Sequence, residues 1–166
     1  MPSNVDFRTL ISAQDLQRNL AHPSLVIFDC RHELMRPEAG AGAFEKSHLP
    51  GARFAHSETD LAGAKTGRNG RHPLPDPQAF ADWLGRNGVD ATRQVIAYDF
   101  ATGSSAARLW WMLRWLGHDR AAVLDGGWEA GRSAVSQMTS VERGSEERRV
   151  GKECTATCRS RWSPYH

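Results

Sequence analysis

The sequence predicts an α/β fold with a mostly parallel central sheet and helices on both faces. Three observations lead there. The apolar runs LVIFD (25–29), VIAY (95–98) and AAVL (121–124) have the length and unbroken hydrophobicity of strands buried on both sides. Segments with helical spacing and capping residues lie between them. Alternation of this kind places functional loops at the strands' C-terminal ends, which puts Asp29, Asp99 and Asp125, or the loops they open, on one edge.

Each element has a local cause. Ser12 with Asp15 three residues later resembles a capping box, and Leu16 and Leu20 supply an apolar face, so a short helix is predicted over Ser12–Leu20, ended by His22 and Pro23. LVIFD is the first strand, and a short one over Ala52–Phe54 follows the turn at Pro50 and Gly51. Residues 56–75 are rich in Gly, Asn, Lys and Arg, lack periodicity and read as a long excursion. Asp76 then caps a helix with Pro77 at its first position, Phe80, Trp83 and Leu84 on one face, and Gly88 as its stop. After the strand Val95–Tyr98, Leu109, Met112, Leu113 and Leu116 repeat at helical spacing up to Gly117. AAVLDGG gives a last strand and turn, and no internal repeat occurs.

The 166 residues suit about one domain with a real core. No apolar run approaches the ~20 residues of a membrane span, and the first residues lack the order of a secretory signal, so a cytoplasmic protein without membrane partners is expected. The net charge of +2 comes entirely from residues after Gly144, where five basic side chains face three acidic ones. The neutral body offers no nucleic-acid footprint. Cys30 is the only cysteine in that body, which fits a reducing compartment. Residues 145–166 show no periodicity and resemble the in-frame translation of a common short-read sequencing adapter, with 136–144 as linker. A non-native tail is therefore expected, on a natural protein that continues beyond about Arg143. A metal site from Cys154, Cys158 and His166 is the weaker alternative, because a closed structural site wants four ligands at recognisable spacings.

The stretch YDFATGSSAARLWW runs from strand through a small polar loop into a helix, the arrangement that holds an anion at a helix N-terminus. Its first loop residue is Asp99, which also suits a plain turn or helix cap. CRHELMR (30–36) fits the C-x5-R spacing of cysteine phosphatases, but it contains no glycine to turn amides inward, and Pro37 biases Arg36 away from helix. Inert packing is the expected role of Cys30, and a structural charge pair with Asp29 that of Arg31. Trp110, Trp111 and Trp115 read as core or interface aromatics rather than a ligand cage, with Trp111 and Trp115 sharing a face that a partner domain would cover.

Asp29 and Arg31 after the first strand, FEKSHLPGARF (44–54), GRHPLPDPQAF (70–80), YDFATGSSAARLWWMLRWLGH (98–118) and VLDGGW (123–128), in that order, resemble the rhodanese family, specifically the N-terminal half of two-domain sulfurtransferases of the thiosulfate and 3-mercaptopyruvate type. The resemblance spans residues 8 to 132 and implies a rhodanese-like domain over 1–135. Ser47, where the family commonly has Gly, and Gly131, where an aromatic often follows, are departures; the second suggests that the likeness fades there. The resemblance puts Asp99 at the position of the family's nucleophilic cysteine, so no catalytic residue is expected in this half. It assigns Glu58, Arg71 and His72 to supporting a second domain's active site, with a small-molecule sulfur donor and acceptor as that domain's partners. It implies neither organic cofactor nor metal. A stand-alone binding module that kept the fold and lost its nucleophile is the alternative.

Overall fold

The computed structural model describes residues 5–136, so the expectations for residues 137–166, including the Cys154, Cys158 and His166 alternative, lie outside the described residues. Five strands form one all-parallel sheet in the order β1-β5-β4-β2-β3. They are β1 (Leu10–Ile11), β2 (Leu25–Asp29), β3 (Arg53–Phe54), β4 (Gln94–Tyr98) and β5 (Ala121–Leu124), connected through α1 (Ala13–Asn19), α2 (Ala39–Lys46), α3 (Pro77–Arg86) and α4 (Ser104–Trp115), with α5 (Gly127–Ser136) last.

Strand alternation divides the core into two layers. Val26, Phe28, Val95, Ala97, Ala121 and Val123 face α3 and α4, where Phe80, Leu84, Leu109, Met112 and Leu113 meet them. Ile27, Ile96, Tyr98, Ala122 and Leu124 face the other way, onto Leu16 of α1 and Val135 of α5, with Phe44 of α2 packed alongside. Among the described residues no helix is long and apolar enough to cross a membrane.

Capping chemistry explains the helices read from sequence. Ser12 accepts the Asp15 amide at 3.0 Å and Asp76 accepts that of Ala79 at 3.0 Å. Gly88, at φ +77°, turns the chain after α3. Three elements have no such local signature. β1 exists because Leu10 and Ile11 align with Val123 and Leu124 of β5. α2, AGAGAFEK, has a Glu38 N-cap without a side-chain bond and two glycines in its interior. The residues after the last turn, for which the sequence offers no helix signal, form α5: Gly131 packs so closely that a β-carbon there would lie 2.9 Å from Leu124 Cδ2 and 3.1 Å from Leu49 Cδ1.

Trp110 packs against the α4 layer, and its indole N–H donates to the Arg8 carbonyl at 2.9 Å. Trp111 and Trp115 stack on each other at 6.2 Å and stand 49% and 36% exposed, so they belong to a surface face and not to the core.

The two α2 glycines yield opposite expectations. A β-carbon at Gly40 would sit 1.8 Å from the Arg31 carbonyl oxygen, whereas one at Gly42 meets nothing within 4 Å. In urea denaturation Gly40→Ala should cost about 2 kcal/mol or more, through forced backbone displacement. Gly42→Ala should be neutral or gain up to about 1 kcal/mol from helix propensity. Equal effects would contradict this packing of α2.

Candidate functional site at the C-terminal edge of the sheet

The neighbouring strands β2 and β4 end in register, Asp29 opposite Tyr98. Asp29 is fully buried and Arg31 is 3% exposed. The Arg31 Nη2 donates to Asp29 Oδ2 at 2.7 Å, and its Nε lies 3.0 Å from both carboxylate oxygens. The Arg31 backbone N–H and the Tyr98 hydroxyl complete the shell at 3.0 and 2.6 Å. The remaining reach of the guanidinium goes to the Ser47 carbonyl at 2.6 Å, and Trp128 covers its plane at 4.4 Å. The Tyr98 oxygen in turn accepts the Leu49 amide at 3.2 Å. Burial, then the charge of Asp29, drives the Tyr98 hydroxyl far above its ordinary range, so it remains a donor.

One residue beyond β4, Asp99 is 3% exposed. Its carboxylate accepts the amides of Gly103 (2.9 Å), Ser105 (3.0 Å) and Ala106 (3.2 Å), which are the loop's end and the first turn of α4. Gly103 at φ +77° lets the loop turn those donors inward. On the other side, the Asp99 carbonyl accepts the Trp128 amide at 2.8 Å. Gly127 lies so near that a β-carbon would be 2.7 Å from that carbonyl oxygen.

The excursion after β3 brings Glu58 and His72 together: His72 Nε2 lies 3.5 Å from Glu58 Oε1, an ion-pair separation rather than a formed hydrogen bond. Lys65 Nζ approaches the other oxygen at 3.7 Å. His32, just past the Asp29–Arg31 pair, faces the His72 ring edge-on at 5.9 Å. Burial alone would raise the Glu58 carboxyl, but Lys65, His72 and His32 outweigh it and hold the group below its ordinary range. Burial, then the neighbouring His72, lowers the His32 imidazole. Arg71 is exposed on the same loop and does not join the cluster.

Arg108 of α4 holds this loop in place. Its guanidinium donates to the Leu61 carbonyl at 2.9 and 2.7 Å and to the His72 carbonyl at 3.0 Å. Neither Arg108 nor His32 is singled out by sequence reasoning. The available signals were a cation among the alanines and leucines near the start of α4 and a histidine just past a strand's C-terminal end.

Cys30 is inert. It is fully buried in the core, and burial, with Asp29 and Asp99 adding to it, pushes the thiol well above its ordinary value. Arg36 is exposed and pairs with Glu33 at 2.6 Å, so the C-x5-R spacing wraps no anion. The phosphatase reading fails on both counts.

A family model described as "Rhodanese-like domain" matches residues 12–134. This chain belongs to the rhodanese family. The match runs past Gly131, so the likeness does not fade there, and the rhodanese architecture includes α5. The chain is 44% identical over 135 residues to a Pseudomonas aeruginosa protein named "Probable 3-mercaptopyruvate sulfurtransferase", covering 80% of this chain and 48% of the relative. It is 35% identical to "Thiosulfate/3-mercaptopyruvate sulfurtransferase 2" of Arabidopsis thaliana, covering 79% and 39% respectively. Among solved structures, 3-mercaptopyruvate sulfurtransferase from Leishmania major aligns with a TM-score of 0.71 at 34% identity, over 76% of this chain and 34% of that one. The rhodanese chain described here thus spans about half the length, or less, of the relatives it matches.

Two stability predictions follow from the site's electrostatics. Tyr98→Phe removes the only side-chain donor besides Arg31, among the described residues, to the buried Asp29 carboxylate and should cost about 1.5–3 kcal/mol, whereas Arg36→Ala, at an exposed pair, should stay below about 1 kcal/mol. Comparable losses in chemical denaturation would contradict the role given to the hydroxyl. Burial holds both His32 and His118 below the ordinary 6.5 in the folded state, so the unfolded chain binds protons first. Stability is then full above about pH 6.5 and declines as the pH falls below it. Urea midpoints at pH 7.5 and 5.5 test this, and a higher midpoint at pH 5.5 would refute it.

Proposed function

We propose that this chain is the N-terminal, non-catalytic rhodanese domain of a two-domain sulfurtransferase, with residues 1–135 as the domain and the active cysteine in a second domain after it. The parent enzyme moves sulfane sulfur from thiosulfate or 3-mercaptopyruvate to a thiophilic acceptor. The observation that carries this reading is the Asp99 carboxylate on the amides of Gly103, Ser105 and Ala106. At the start of such a loop, a thiolate could attack the outer sulfur of a donor, expel the remainder of the donor as an anion and keep the sulfur as a persulfide. A carboxylate satisfies the same donors but cannot hold a transferable sulfur. The names of the relatives, and their greater length, support placing the reaction in a partner domain.

Glu58, Arg71 and His72 then serve that partner domain. The Glu58–His72 pair suits proton transfer near neutral pH, and the exposed Arg71 beside it suits an anionic substrate. The stacked, exposed Trp111 and Trp115 offer an apolar face for a second domain. A cytoplasmic location accords with the single buried thiol among the described residues.

The purified 166-residue chain, supplied with thiosulfate or 3-mercaptopyruvate and with cyanide, should form thiocyanate no faster than a protein-free blank. Turnover comparable to that of a full-length relative would overturn the non-catalytic assignment. Sequencing the locus past the codon for Arg143 should recover a second rhodanese domain with Cys at its loop start. A stop codon there would favour a stand-alone binding module.

A further inference from the structure

We infer that His32, Glu58 and His72 form a binding site for a divalent transition-metal ion, zinc by preference, held by two imidazoles and one carboxylate. Each residue offers one ligand atom, and all three atoms lie within 4.8 Å of one another. Zinc bonds to nitrogen and to carboxylate oxygen are about 2.0–2.2 Å, which places tetrahedral ligands roughly 3.3 Å apart. The His72–Glu58 pair, at 3.5 Å, already has that spacing, and side-chain rotations bring in the remaining imidazole.

A second, independent observation concerns the imidazole nitrogens. Nε2 of His32 and Nε2 of His72 are both shut off from water and have no hydrogen-bond partner. Buried polar atoms are nearly always satisfied, and a cation between these two facing rings and the Glu58 carboxylate would take both nitrogens as ligands, His72 Nε2 from its ion-pair distance of 3.5 Å.

The surroundings hold the ligands for such an ion. Arg108 fixes the backbone of His72. The ring of His56 accepts the Glu58 amide at 3.2 Å, while the His56 amide donates to Asp60 at 2.8 Å. Lys65 is the competing cation at Glu58, but its side chain is 49% exposed and can swing into solvent. Three protein ligands leave a fourth position open, the arrangement of reactive rather than structural zinc sites. Mixed imidazole and carboxylate donors favour zinc over calcium or magnesium.

This inference does not depend on the sulfur-transfer reading: an ion on the Glu58–His72 pair would block the proton transfer proposed for it, so the occupied site is an inhibited form, and binding is measured on this chain without any donor. Cobalt(II) serves as the visible probe, added to the full chain carrying Cys154→Ser and Cys158→Ser so that tail thiols contribute nothing. The expected result is one cobalt per chain with d–d bands of a four- or five-coordinate centre, displaced by one equivalent of zinc in calorimetry. His32→Ala and His72→Ala should each weaken zinc binding at least about tenfold, the range seen even for residues that only orient a ligand. Glu58→Gln, nearly isosteric, should do the same and serves if either alanine variant fails to fold by circular dichroism. His48→Ala, outside the cluster, should leave affinity unchanged. Absence of the cobalt bands, or zinc affinity that is unaltered by Glu58→Gln, or equally altered by His48→Ala, would overturn the site.

Discussion

The buried ion pair between Asp29 and Arg31 is the constraint on which the working edge of this molecule depends. Removing two opposite charges from water is costly, and a buried pair is tolerated only when nearly every donor and acceptor is used. Here that condition recruits the whole edge. The carboxylate belongs to β2, the hydroxyl that bonds to it to β4, the accepting carbonyl of Ser47 to the turn after α2, and the indole over the guanidinium to α5. Gly40 of α2 lies directly against the Arg31 carbonyl, so the helix is seated by the same residue. His32 leaves the sheet from this fixed point.

The loop after β4 resolves a second electrostatic demand in a different way. Amides converging at the start of a helix call for negative charge. Asp99 supplies it from within the chain at 2.9–3.2 Å. An anion that is part of the chain ties the end of β4 to the first turn of α4.

Much of this was legible from neighbouring residues. Asp76, Pro77 and Gly88 delimit α3 by local chemistry, and the apolar runs mark β2, β4 and β5. The pairing of Asp29 with Arg31 follows from two residues two positions apart at the end of one strand. What escaped the sequence depends on distant partners. β1 is defined by its register with β5, and α2 is seated by a carbonyl that only glycine can approach. α5 presents Gly131, which has no side chain for a periodicity to register, to Leu49 and Leu124. At the site, Glu58 and His72 lie on one recognisable loop, whereas His32 joins them across the β2–β3 edge. Arg108 reaches backbone carbonyls 36 and 47 residues away, and no pattern of residue types reports such a contact.

That arginine has a mechanical consequence. It rides on the same helix whose first turn encloses Asp99, so a single rigid rod carries the aspartate's cradle at one end and tethers the His72 loop one turn further on. Tilting the rod would displace both at once, and neither could drift alone. Their separation is thereby gauged by the pitch of a helix, the least compliant ruler a short polypeptide can build.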